Sequence, residues 1–446
     1  MENKAREKSL TADFDLSGLW WDPENPSVKW FGTVEFRHNT FTTITLWADQ
    51  TLFQKASHLY GLTQNGEAVT LIDLKNTGGS ISSGQKGAIH AASFITKYMV
   101  VGAYVTLETL YRHMAVEYTY IEYWVWQPTE VANPGTVSDV DCGYIRSLRA
   151  TMALSPTHRT FKNLTSHINT VGWSFHITFD KGETLDTLLS MSFDLGNFLT
   201  VLFGQATYVQ TVELKHDTKT TDSVKVFYST LPKRLLDKIH RDHFVVPFSV
   251  FQSTASLIVP QWFDNLDTYR PVIGLYTATI FGVTQFSEFS FLALIQGIES
   301  YHRRRFPARQ YMAPDDYRTA IAEWVSQIPS FISNSSHRQS LKNKVTFGYE
   351  YSLRKRLKEL LGVISPGEKA AIVSNYDEQP FIQKIVDTRN YLTHYTEELA
   401  ILTAQGSELI RLTKRLRYLL TLLLLDAMAI SIPENHIQND LPWLLN

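Results

Sequence analysis

Residues 381–400 read FIQKIVDTRNYLTHYTEELA, with apolar side chains recurring at helical spacing. The same period marks FSEFSFLALIQGIESYHRRRF (286–306), DDYRTAIAEWVSQIPSFI (315–332), YEYSLRKRLKELLG (349–362) and SELIRLTKRLRYLLTLLLLDAMAIS (407–431). Gly362 closes one of these helices and Pro366 follows shortly, a sensible stop. Residues 286–446 therefore read as an all-helical bundle, preceded by a connecting segment at 261–285. Upstream the texture is different. FGTVEFRHNTFTTITLW (31–47) alternates like a half-buried strand pair, and LTQNGEAVTLIDL (62–74) sets Asn65-Gly66 between two strand-like runs, a strong hairpin signal. Tyr98 to Tyr104, Tyr118 to Gln127, SFHITF (174–179) and SVKVFYST (223–230) read as further strands, with one helix over Glu183 to Phe203. The expected fold is α+β and multidomain: a β-rich, sandwich-like N-terminal module over 10–260, with a seam near 128–156, followed by the all-α bundle.

Composition narrows the function. The chain has 446 residues, which at ~150 residues per domain suggests roughly three structural units. Forty-two basic against 44 acidic side chains exclude a polybasic binder, so any nucleic-acid site must be a local patch. Cys142 is the single cysteine and cannot form an intrachain disulfide or a multi-cysteine zinc site. Met1 to Ser9 lacks an apolar secretory core, and the apolar run Tyr418 to Ile432 contains Asp426 and is shorter than the ~20 residues of a bilayer span. The expectation is a soluble, cytoplasmic protein with no membrane partner. Within 286–446 the charges nearly balance, but the basic residues are bunched as Arg303, Arg304, Arg305 and Arg309, then Arg354, Lys355, Arg356 and Lys358, then Lys414, Arg415 and Arg417. Such runs serve either as solvated helix faces or as a binding surface for a polyanion.

Several motifs imitate known chemistry. GGSISSGQKG, from Gly78, has phosphate-loop glycine spacing, but Gln85 and Lys86 stand where Lys and Ser/Thr are needed, so a hairpin loop is expected. His240, Asp242 and His243 could approach one another but lack a third strong metal ligand. Trp20-Trp21 reads as β-sheet packing before it reads as a stacking platform.

DTRNYLTHYT (387–396) is different. Arg389 keeps its charge and can stabilise phosphate; His394, separated from it by four residues, can move a proton; Asn390 follows the arginine directly. These groups suffice for metal-free RNA cleavage by the 2′-hydroxyl. The spacing R-x(4–6)-H also occurs at Arg234 and His240, so spacing alone does not decide. The structural alternatives are pairing of Arg389 with Asp387 or a neighbouring helix, and His394 as a satisfied core histidine. Five residues of α-helix give ~7.5 Å of rise and ~140° of rotation, so one helix cannot easily converge both side chains. A two-fold pairing would build a composite site, unless the motif straddles a helix start.

RNYLTH (389–394) matches the R-N-x-x-x-H signature of HEPN ribonucleases. FSFLALIQGIESYHRRRF, with Gln296 and Glu299, resembles the opening helix of the ApeA-type HEPN domain, and YSLRKRLKELL its arginine-rich middle helix. GLWWDPENP with FGTVEF, YGLTQNGEAVTLID and IVPQWFDNLDTYRPVIGLY resemble the ApeA N-terminal region, with Phe31 standing where a proline or small residue is expected. The resemblance implies an anti-phage, abortive-infection toxin: a HEPN endoribonuclease, a hydrolase by class, under control of an N-terminal module that senses an unknown phage trigger. It implies Arg389, Asn390 and His394 as catalytic residues, Glu299 and Tyr395 as support, and no metal or cofactor. It further implies RNA as the substrate, with tRNA the candidate, Arg303, Arg304, Arg305, Arg354 and Arg356 as the candidate RNA-binding residues, and a homodimer through the HEPN domain. The competing class is a non-catalytic HEPN binding or dimerisation protein with a β-sandwich ligand-recognition module.

Overall fold

The computed structural model describes residues 8–48, 57–84, 87–125, 138–162, 167–216, 222–230, 239–240, 243–282, 286–328, 332–346, 348–374, 376–395, 397–433 and 436. The chain divides into two compact units, Met1–Asp264 and Asn265–Asn446.

The first unit carries β1 (Phe14–Trp21), β2 (Lys29–Phe36), β3 (Thr42–Ala48), β4 (His58–Thr63), β5 (Ala68–Gly84), β6 (Gly87–Val101), β7 (Tyr111–Tyr118), α1 (Ile121–Val125), β8 (Val140–Ile145), β9 (Ala150–Lys162), β10 (His167–Glu183), α2 (Leu185–Phe203), β11 (Val209–Lys215) and β12 (Val224–Tyr228). Its strands form one sheet in the order β3-β2-β1-β4-β5-β6-β12-β11-β7-β10-β9-β8, and β3 also pairs with β6. The first six strands thereby close into a barrel. The β-rich expectation holds, with one connected, partly closed sheet in place of two facing layers. Alternation drives the closure: on β2, Trp30, Val34 and Phe36 are buried while Lys29, Phe31 and Glu35 face outward. Trp20 fills the barrel, its Nε1 donating to Gly32 O at 3.1 Å. Gly61 is required beside it, because a Cβ there would lie 2.3 Å from the indole. Phe31 is exposed and stacks on Trp47.

The Asn65-Gly66 hairpin joins β4 to β5, with Gly66 at φ +79. The glycine-rich run from Gly78 lies on the long β5–β6 hairpin, whose register extends to Gly84↔Gly87; Gln85 and Lys86 lie outside the described residues. The strand expected over Tyr118 to Gln127 stops at Tyr118. Tyr120 takes φ +74, which breaks the extended backbone, and α1 follows. Residues 128–137 of the expected seam lie outside the described residues, and β8 and β9 beyond them belong to the same sheet. Helix α2 is capped by Thr184 and by left-handed Gly204, and nearly all of it is buried. Its Phe203 meets Trp124 of α1, whose Nε1 donates to Val246 O at 2.7 Å.

Helix α3 (Phe248–Ile280) contains the boundary between the units. The segment expected as a connection at 261–285 is thus helical as far as Ile280. Phe251, Ala255, Ile258, Trp262, Leu266, Ile273 and Tyr276 are buried at helical spacing, and Pro260 and Pro271 obscured that stripe. The second unit continues with α4 (Ser287–Arg305), α5 (Pro314–Ser326), α6 (Ser335–Thr346), α7 (Leu353–Leu361), α8 (Pro366–Val373), α9 (Glu378–His394), α10 (Glu397–Ala400) and α11 (Gly406–Ala427). Helices α4 and α11 pack closely at Gly297, where a Cβ would stand 2.9 Å from Leu420 Cδ2. Pro366 starts α8, where Ser365 and Glu368 form a capping box. Among the described residues no helix is long and apolar enough to cross a membrane.

Candidate functional site

Helix α9 forms because Phe381, Ile382, Ile385, Thr388 and Leu392 make one buried stripe. Thr388 ties that face down: its hydroxyl donates to Lys384 O at 2.7 Å and accepts from Ala404 N at 3.0 Å. The helix ends at Tyr395, which takes a left-handed conformation (φ +53) and donates its N–H to Tyr391 O. Arg389, Asn390 and His394 therefore occupy the last two turns of α9, and the motif does not straddle a helix start.

Arg389 donates from Nη1 to Asn390 Oδ1 at 3.1 Å, and its Nη2 lies 3.9 Å from Glu299 Oε2 of α4. Of the two structural alternatives for the arginine, the neighbouring-helix pairing is the one present; Asp387 instead accepts from Gln383. His394 is exposed, so it is not a core histidine. Tyr395 is exposed beside it, its ring 5.4 Å from that of Tyr391. One chain thus offers a guanidinium steadied by a carboxylate and an amide, and an imidazole open to solvent. The ~140° of helical rotation between positions 389 and 394 keeps them on different faces of α9.

The basic clusters separate into two kinds. Arg303, Arg304 and Arg305 end α4, where cations complement the helix dipole. Arg303 pairs with Glu350 at 2.6 Å, Arg304 donates to Ser300 Oγ at 2.6 Å, and Arg305 lies 3.7 Å from Asp426; each side chain keeps exposed surface. Arg354 is exposed and donates to Gln383 Oε1. Arg356 does not belong with them. It is 3% exposed, and its Nε donates to Tyr351 O at 3.0 Å and its Nη1 to His302 Nδ1 at 2.9 Å. A buried guanidinium with these partners is a structural group and cannot reach RNA. Its place was visible in LRKRLKELL, where Arg356 falls on the stripe of Leu353, Leu357 and Leu360.

Sequence reasoning missed the group that Arg356 serves. His302 is fully buried, and because a guanidinium only donates, Nδ1 is the acceptor and Nε2–H donates to Glu359 Oε2 at 3.0 Å. Burial holds the imidazole below its ordinary range, and the nearby Arg356 charge acts the same way against the opposing pull of Glu359. Among the described residues no cluster of three or more His, Cys, Asp or Glu side chains could hold a metal ion. The His240 and His243 rings stand 5.8 Å apart, and Asp242 and Arg234 lie outside the described residues. Trp21 packs edge-on against Tyr104 and under Lys29.

The family model described as Apea-like HEPN matches residues 292–432, which contain Glu299, Arg389 and His394. The model described as ApeA N-terminal domain 1 matches residues 15–262, more than half of the chain. No curated protein and no solved structure matches it.

Proposed function

Since the chain belongs to the ApeA family of anti-phage defence proteins and ends in a HEPN domain, a domain class that generally cuts RNA, we propose that it is a metal-independent endoribonuclease acting by abortive infection. The observation that carries this reading is Arg389 held by Glu299 and Asn390, with solvent-open His394 on the same helix end. His394 takes the proton of a ribose 2′-hydroxyl, whose oxygen attacks the adjacent phosphorus. The bond to the 5′-oxygen breaks, and the proton is relayed to that leaving oxygen. Arg389 stabilises the charge on the phosphorane. The products are a 2′,3′-cyclic phosphate and a 5′-hydroxyl, and DNA, lacking the nucleophile, is spared.

The complete site takes two copies of the chain. Arg389 and His394 diverge on one helix, and the connection after His394 exposes Tyr395, Ile401 (90%) and Leu402 (53%), apolar surface suited to a second copy. Arg303, Arg304, Arg305 and Arg354 supply cations for the RNA backbone, tRNA being the candidate substrate. The N-terminal unit serves as sensor and control module for the phage trigger.

The test is end-chemistry on total bacterial RNA with the purified full chain, EDTA present, in lysate from infected cells so that any trigger is supplied. Wild type should generate 2′,3′-cyclic phosphate ends that His394→Ala does not. Equal cleavage by both removes His394 from the chemistry, and no cleavage by either favours the non-catalytic binding class.

A further inference from the structure

The N-terminal unit contains an open cleft of about 480 Å³, lined in part by Phe41, Asp73, Lys75, Lys97 and Tyr98; small-molecule sites span ~300–1,000 Å³. It lies where β6 changes partners. Along one edge β6 pairs with β3 as far as Thr96↔Thr42, and with β12 from Tyr98↔Tyr228 onward. The two partner strands part at Lys97. Along the other edge β5 sets Ile72 opposite Tyr98 and Leu74 opposite Thr96, and Asp73 between them adopts φ +58. That conformation is uncommon outside glycine, and such residues gather at ligand clamps.

The charges at this fork are not equivalent. Lys97 is satisfied: its Nζ lies 3.0 Å from Asp186 Oδ1 and 4.6 Å from the Tyr98 ring centroid, and the Tyr98 hydroxyl donates to the same carboxylate. Asp73 and Lys75 are exposed, and neither side chain has an ion pair or hydrogen bond among the described residues. Phe41, at the start of the β3 edge, is 59% exposed. Thr96 makes a closed floor, its hydroxyl 2.8 Å from Ile72 O and 2.9 Å from Tyr98 O. The cleft thus offers an open ammonium, an open carboxylate and an open aromatic face.

We propose that this cleft binds a mononucleotide, with phosphate on Lys75, ribose hydroxyls on the Asp73 carboxylate and the base against Phe41. A sugar phosphate leaves the aromatic face unused, and inorganic phosphate leaves the carboxylate unanswered. A nucleotide matches all three groups at once, and it fills more of the cleft than a free aromatic amino acid. The site lies wholly in the N-terminal unit and is independent of the nuclease reading.

Isothermal titration calorimetry of the full chain near neutral pH tests it, using AMP, GMP, CMP and UMP, with ribose 5-phosphate, phosphate and tryptophan as comparisons. At least one mononucleotide should bind saturably, about tenfold or more tighter than ribose 5-phosphate because the base stacks. Phe41→Ala and Lys75→Glu should each weaken that binding about tenfold while leaving the thermal melt unchanged, since both side chains are exposed. The proposal is overturned if no mononucleotide binds at millimolar concentration, if both variants bind as wild type does, or if tryptophan binds as tightly as the best nucleotide.

Discussion

Arg389 and Arg356 are both arginines of the helical unit, yet their surroundings assign them opposite tasks. Arg389 is partly exposed and meets one carboxylate at 3.9 Å. An ion pair of that kind contributes only ~0–1 kcal/mol to stability, so Glu299 acts on the direction of the guanidinium. Arg389→Lys keeps the charge and loses the planar fork; single-turnover cleavage should fall about 10²–10³-fold with little change in melting temperature. Glu299→Gln should lose about tenfold by loosening the arginine. Cleavage by Arg389→Lys near the wild-type rate would remove the arginine from the mechanism. Arg356, by contrast, is buried and donates to His302 and to the Tyr351 carbonyl, and its neighbour Glu350 lies 3.7 Å away. Its residue type suggested RNA; its position on an apolar helix stripe decided otherwise.

At the scale of elements, β7 and β10 place two imidazoles side by side, with His176 Nδ1 3.3 Å from His113 Nε2. Burial, helped by His176 and Lys215, pushes His113 down to about 4, and His176 is also held below its ordinary range, chiefly by burial. In the unfolded chain a histidine titrates near ~6.5. Between these values the unfolded state binds more protons than the folded one. The stability contribution is therefore complete above about 6.5 and is lost as pH falls through that window toward about 4. The urea midpoint should drop over this range, and His113→Gln should flatten the dependence; an unchanged slope would show that His113 titrates alike in both states. Elements with strong local signals, such as the Asn65-Gly66 hairpin and α2, were legible because their cues are contiguous. Helix α1 was not, because a single left-handed backbone at Tyr120 ends the strand. The reach of α3 was hidden by two prolines within an otherwise regular stripe.

For the whole molecule, the proposed sharing of the site between two copies predicts complementation. Arg389→Ala and His394→Ala should each be inactive alone. Mixed and allowed to exchange, they should recover up to about a quarter of wild-type cleavage, because only mixed dimers hold one intact arginine with one intact histidine. No recovery after verified subunit exchange would assign the site to a single chain. The sequence by itself determined the order of a β-rich and a helical unit, the helix that carries Arg389 and His394, and their separation along it. Those properties depend on local periodicity, turn chemistry and residue type, all readable from neighbours in the chain. Only the tertiary structure decided that the first six strands close into a barrel, that Glu299 stands beside Arg389, that Arg356 is buried, and that a cleft opens where β3 and β12 part from β6. These depend on strand pairing and helix packing between residues far apart in sequence, where many registers satisfy the same alternation and only the assembled core selects one.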